Sequence, residues 1–178
     1  MSYRSELIKS MNLLSNNKKV IFLGQSVNYS GNAIYNTLKD INKSKKIELP
    51  VFEDTQMGIS MGLALNGFIP VTCYPRFDFL ILSLNQLVNH LDKLNAMSLG
   101  KLKAKVIIRT SIGSKKPLDG GPQHTQDHTD SLKKMLTNIE VIKLRKSSEI
   151  FRSYKRALTR KDNKSSLLIE YGDYYNKP

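Results

Sequence analysis

Cysteine is the scarcest reactive residue: the chain has one, Cys73. A single thiol forbids an internal disulfide and suits a reducing compartment, so a cytoplasmic location is expected. No run of 18 apolar residues occurs, so no membrane-spanning helix is expected. The opening stretch Met1–Lys9 is amphipathic and carries Glu6. It lacks the apolar core and small-residue cleavage site of a signal peptide. Acids are scarce beside bases, 15 against 28, which gives a net charge of +13. Such an excess fits nucleic acid or an acidic partner surface. The bases, however, are dispersed in short clusters, such as Lys43, Lys45 and Lys46, or Arg152, Lys155 and Arg156. No zinc-finger spacing, aromatic-rich RNA-binding signature or long basic tail goes with them. A nucleic-acid partner is therefore not expected, and neither is a membrane.

What is present fits a soluble globular domain. The chain has 178 residues, 40% of them hydrophobic and 24% charged, enough for one core. Residues 1–178 read as a single domain with no internal repeat. Tyr3, Leu7, Ile8, Met11 and Leu14 share one face of a helix over residues 3–15. Val20–Leu23 is a buried strand, 25–31 a polar loop, and 32–41 a helix with Ala33, Ile34, Leu38 and Ile41 inward. Leu49, Val51 and Phe52 suggest a strand over 48–52, with Glu53 where it hands over to a helix. Gly58, Ser60, Gly62 and Ala64 keep that helix slim, for packing against a neighbouring backbone or a ligand. Gly67 ends it, and Pro70 opens a strand to Tyr74. Leu84, Leu87, Val88, Leu91 and Leu94 predict a long helix over 81–97. Val106–Arg109 is the next strand. The loop 110–127 that follows, with Gly113, Pro117, Gly120, Gly121 and Pro122, is long enough to suggest function. A helix at 132–136, a strand at 140–144, a helix at 147–159 and a strand at 167–170 complete the order. Strands alternating with helices predict an α/β fold: a mainly parallel sheet with helices on both faces.

Several short motifs run in order through this frame. They are Pro50-Val51-Phe52-Glu53, Gly67-Phe68-Ile69-Pro70-Val71 and Phe77-Asp78-Phe79. Asn85-Gln86-Leu87-Val88-Asn89, Arg109-Thr110-Ser111-Ile112-Gly113 and Gln123-His124-Thr125-Gln126 follow. Together they resemble the N-terminal, pyrimidine-binding domain of the beta subunit of thiamine-diphosphate-dependent 2-oxoacid dehydrogenases, within the transketolase-like family. The resemblance covers about 19–174. Asn85 departs from it, since the family places an acid there.

The resemblance implies the thiamine diphosphate-binding fold, in its pyrimidine domain, and a set of roles. Glu53 would hydrogen-bond the 1′ nitrogen of the cofactor's aminopyrimidine and so activate the cofactor. Phe79 would stack on that ring, with Phe77 nearby, and Met57 and Gln86 would complete the cofactor contacts. His124 would face the substrate and handle its protons or oxyanion. The family's G-D-G…N pattern, which holds the diphosphate and magnesium, is not found, and Gly172-Asp173-Tyr174 lies too near the end to serve. The domain is expected without a diphosphate-binding domain and without a C-terminal transketolase domain. A diphosphate-binding, alpha-type partner subunit would hold the Mg2+, in a hetero-oligomer containing a homodimer of this chain. The implied reaction is decarboxylation of a small-molecule 2-oxoacid, or transfer of the resulting acyl or two-carbon unit.

Each residue also has a plainer reading. Glu53 and Asp54 suit the positive end of any helix. Phe77, Phe79, Met57 and Met61 suit a core. His124 and His128 stand four apart near Asp127 and Asp130, a weak zinc pattern. Arg109 suits a salt bridge, and Cys73 suits a buried, inert thiol. Rival functions are a split transketolase acting on sugar phosphates, which Lys115 and Lys116 would favour, and a non-catalytic subunit that keeps the fold.

Overall fold

The computed structural model describes residues 1–30, 32–116 and 118–175. Gly31 and Pro117, both placed in loops from the sequence, lie outside the described residues. Six parallel strands form one sheet: β1 (Val20–Gly24), β2 (Lys46–Glu48), β3 (Ile69–Tyr74), β4 (Ile107–Ile112), β5 (Glu140–Lys143) and β6 (Ser166–Tyr171). Their order in space is β2-β1-β3-β4-β6-β5. The helices are α1 (Tyr3–Ser15), α2 (Glu53–Leu65), α3 (Phe77–Leu80), α4 (Leu94–Met97), α5 (Thr129–Met135) and α6 (Ser147–Thr159). The expected α/β class and parallel sheet are therefore present.

Strand alternation divides the interior into two cores. Val71, Cys73, Ile107 and Leu168 face a core closed by α1, α6 and the side chains of Val27, Ile34, Leu38 and Ile41. Tyr74, Val106, Ile108, Leu167 and Ile169 face the other, closed by α2, α5 and Phe77–Leu91. Cys73 is free and buried, and burial pushes its thiol up to about 12, so it is inert.

Three expected elements differ. The strand before Glu53 lies earlier, at Lys46–Glu48, and Val51 is 66% exposed. Pro50 brings no N–H to a ladder, and Glu48 turns its carboxylate to another task described below. Residues 32–41 are turns around a single 3₁₀ turn at Tyr35–Thr37, although Ile34, Leu38 and Ile41 are buried as expected. The long helix over 81–97 is broken. A 3₁₀ turn at Ile81–Ser83 leads into a π-helix at Asn85–Leu91, then α4. The wider π turns reset the helical phase. They deliver Asp92, fully buried, to the loop before β5.

There the Asp92 carboxylate accepts the backbone N–H groups of Thr137, Asn138 and Ile139 at 2.7–3.2 Å, and the Thr137 hydroxyl at 2.9 Å. Burial pushes the Asp92 carboxyl up, but hydrogen bonds from Lys93, Asn138 and Thr137 outweigh it and hold it below the ordinary value.

A second buried charge lies between β4 and β6. Arg109 is the largest fully buried side chain, and it meets Glu170 through two hydrogen bonds, at 2.7 and 3.0 Å. Burial opposes its charge, and the carboxylate of Glu170, with Tyr154 and Cys73, outweighs that cost, so Arg109 is held charged. Tyr154 of α6 and Tyr175 near the C-terminus both donate to Glu170. The salt bridge expected of Arg109 is thus the hub joining sheet, helix and tail.

Removing one partner of a buried pair typically costs about 3–5 kcal/mol. Arg109→Met should lose about that much in urea unfolding. Adding Glu170→Gln to it should recover at least about 1 kcal/mol, because no buried charge is then stranded. Asp92→Asn should cost about 1–3 kcal/mol at pH 7. A carboxyl held low when folded stabilises above its unfolded pKa of about 4 and loses that contribution as pH falls. The gap between Asp92→Asn and wild type should therefore narrow below about pH 4; a gap that stays constant there would show the charge to be irrelevant.

Candidate active site

Strand order reverses between β1 and β3: from β1 the chain steps out to β2, then returns to the other side of β1. At such a reversal the connections leave in opposite directions, opening a crevice beyond the carboxyl ends of the two strands. A cleft of about 340 Å³ lies there, within the usual range for small-molecule sites. Its walls are Gln25 and Ser26 after β1, Asn32, then Pro75, Arg76 and Phe79 after β3, and Gly120 and His124 from the loop after β4.

Each wall is held by a specific tie. Glu48, at the end of β2, accepts the N–H of Ser26 at 2.5 Å and of Asn28 at 2.7 Å. This secures the loop at Ser26, whose φ of 57° is left-handed. Gln56 of α2 donates to the Thr72 hydroxyl at 2.8 Å and the Cys73 carbonyl at 3.1 Å, fixing α2 to the end of β3. Ser111 bonds the Pro75 carbonyl at 2.9 Å, joining the β3 and β4 ends. Asp173 accepts the N–H groups of Lys115 and Lys116 at 2.7 and 3.1 Å. Gly113 lets the chain double back: a Cβ there would lie 1.7 Å from the His124 carbonyl oxygen. That close approach seats His124 in the cleft.

The expected site residues fall into three places. Phe79 and His124 meet in the cleft wall, ring centroids 5.5 Å apart and nearly edge to face. The His124 Nδ1 atom is buried and has no hydrogen-bond partner among the described residues. Glu53 begins α2, where the helix dipole favours an acid, and it is 8% exposed. Its backbone carbonyl accepts from the Tyr74 hydroxyl at 3.1 Å. Among the described residues its carboxylate makes no hydrogen bond. Glu53 is not in the wall of this cleft; Tyr74, two residues from Arg76, links the two.

Phe77 and Met57 are fully buried in the α2/α5 core. Phe77 packs edge-on against His128, their ring centroids 5.4 Å apart. Gln86 lies on the π-helix and donates to Asp54 at 3.3 Å. Among the described residues no group of three acids, histidines or cysteines is placed to hold a metal. Asp127 pairs instead with Lys143. Lys115 and Lys116 point outward and are not in the cleft wall. Gly58 and Gly62 face open space: outside their own helix backbone and chain neighbours, no described atom lies within 4 Å of a Cβ placed there.

The sequence motifs gave no warning of Arg76, Gln25 and Ser26. The available signal was topological: all three follow the two strands at which the sheet order reverses.

A family model described as transketolase, pyrimidine binding domain, matches residues 8–176. The chain is 28% identical over 117 residues to the pyruvate dehydrogenase E1 component subunit beta of Gracilaria tenuistipitata var. liui, covering 64% of this chain and 35% of that protein. It is 26% identical over 134 residues to the same subunit of Bacillus subtilis (strain 168), covering 74% and 39%. The chain thus spans little more than a third of the length of these relatives. A solved structure titled split gene transketolase, inactive beta4 tetramer, superposes on 96% of this chain and 51% of that one, with a TM-score of 0.63 at 16% identity. That likeness confirms the fold. No helix among the described residues is long and apolar enough to cross a membrane. With a family match over nearly its whole length, the chain belongs to the transketolase pyrimidine-binding domain family.

Proposed function

We propose that this chain is the pyrimidine-binding part of a thiamine-diphosphate-dependent enzyme that decarboxylates a 2-oxoacid or transfers the resulting acyl or two-carbon unit. The observation that carries this reading is Glu53 at the head of α2: the residue is 8% exposed, and its carboxylate has no hydrogen-bond partner among the described residues and still opens to the surface. A ligand that presents a ring N–H would meet a carboxylate that no other group of the chain occupies.

Thiamine diphosphate supplies carbanion-stabilising chemistry when bound. The residues present fit its pyrimidine half. Glu53 would hold a proton at the ring nitrogen and so set the tautomer of the ring. Phe79, half-buried and edge-on to His124, has a face suited to a flat ring. The partnerless Nδ1 of His124 suits a proton donor or acceptor toward the substrate in the cleft. Phe77, Met57 and Gln86 would act behind this shell, through packing and through the bond from Gln86 to Asp54. An alpha-type partner subunit would provide the diphosphate contacts and Mg2+, in a hetero-oligomer that includes two copies of this chain.

Glu53→Gln keeps the shape and removes the charge. In the assembled enzyme it should lower turnover by about 10²-fold or more. The melting temperature should move by less than about 2 °C, because no bond within the chain is lost. Full turnover by this variant with cofactor bound would remove Glu53 from the chemistry. His124→Asn should lower turnover similarly while the complex retains its thiamine diphosphate, measured by chromatography of the released cofactor. Loss of the cofactor together with the activity would instead mark His124 as part of its binding site.

A further inference from the structure

Among the described residues, the cleft at the β1/β3 reversal is lined by one strongly basic side chain, Arg76. It is half-buried, and its guanidinium lies against Gly120: a Cβ at Gly120 would come within 2.3 Å of Nη1. The same Cβ would lie 2.8 Å from the His124 Cβ, so guanidinium and imidazole flank one glycine. Among the described residues, no carboxylate is within ion-pairing distance of Arg76, and its side chain makes no hydrogen bond. The nearest acid in sequence, Asp78, turns instead to Gln126, at 2.9 Å, and toward His128.

We propose that Arg76 binds the anionic end of the substrate, and that the substrate is a small molecule bearing a carboxylate or a phosphate. A guanidinium presents paired N–H donors in a fixed fork, which matches two oxygens of either group. Gly120, which has no side chain, leaves room for the guanidinium beside His124. Ser26, Asn32 and Gln25 add neutral polar atoms around it. His124 then stands beside the bound anion, toward the part of the molecule that carries the reacting carbon. Arg76 is thus a specificity residue. Calling its ligand the substrate rests on the proposed function, whereas anion binding at Arg76 does not.

The test uses the full chain labelled with ¹⁵N. Pyruvate, inorganic phosphate and the uncharged methyl pyruvate are titrated in turn while the Arg76 Nε–H and His124 ring signals are followed. Pyruvate or phosphate should shift both signals to saturation, and methyl pyruvate should not. Tighter binding of pyruvate names a carboxylate as the substrate anion; tighter binding of phosphate names a phosphorylated substrate. Arg76→Gln should weaken the preferred anion about tenfold or more, and Arg76→Lys should fall between, having charge without the fork. In the assembled enzyme, Arg76→Gln should raise KM by a similar factor and leave kcat within about threefold. Equal binding of methyl pyruvate, no binding of either anion, or unchanged affinity in Arg76→Gln would overturn the assignment. The two readings fail separately. Active Glu53→Gln with anion binding intact defeats the proposed function alone. Inactive Glu53→Gln with Arg76→Gln unchanged in KM and anion affinity defeats this assignment alone.

Discussion

The reversal of strand order between β1 and β3 is the constraint on which the site depends. All six strands run parallel, so every strand ends on the same edge of the sheet. Helices cover both faces, and only at the reversal do the connections part and leave a gap above the edge. Gln25 and Ser26 leave β1 on one side of that gap, and Pro75 and Arg76 leave β3 on the other. The loop after β4 then drops His124 across the top. The strand order opens the crevice, and the ties from Glu48, Gln56 and Ser111 hold its walls.

Two buried carboxylates enforce strand register at the far side of the sheet. Glu170 binds Arg109 across β4 and β6 and collects Tyr154 and Tyr175. Asp92 gathers three backbone amides ahead of β5. Each is saturated by partners in the chain, which is how a buried charge becomes tolerable. Glu53 and Arg76 are the contrast. Both lie close to the reversal, both reach solvent, and neither charge is paired within the chain among the described residues. Charges committed within the sheet belong to the scaffold, and charges left open at its edge belong to the candidate site.

Sequence periodicity located what depends on burial and missed what depends on hydrogen bonds. Leu7, Met11 and Leu14 mark α1 because their spacing follows the core face. β4 and β6 are legible instead as short apolar runs, Val106–Ile108 and Leu167–Ile169, of central strands buried on both faces. The strand before Glu53 was misplaced because Leu49, Val51 and Phe52 look like core. The pairing stops at Glu48 instead, whose carboxylate is committed to Ser26 and Asn28. The π-helix at 85–91 was invisible for the same reason: Leu84, Leu87 and Leu91 fit an α-helix, and only the needs of Asp92 justify the wider turns. At the site, His124 and Phe79 were legible through their motifs. Arg76 was not, because an arginine in a turn carries no signal until the strand order is known.

The fate of the acids also gives the chain's charge a physical meaning. Glu48, Asp92, Asp127, Asp173 and Glu170 each turn toward amides, hydroxyls or buried cations of the same chain. Few bases are neutralised in exchange, so the net charge of +13 is expressed largely at the surface. A positive field around a low-dielectric crevice concentrates anions at its mouth and speeds their arrival. Long-range attraction of that kind selects no particular anion, and it weakens as salt rises. Selection requires a fixed donor array at the end of the path. Arg76, against Gly120 and beside His124, is the one Lys or Arg among the described residues of the cleft wall. The diffuse charge and the single placed guanidinium therefore act at different ranges on the same ligand.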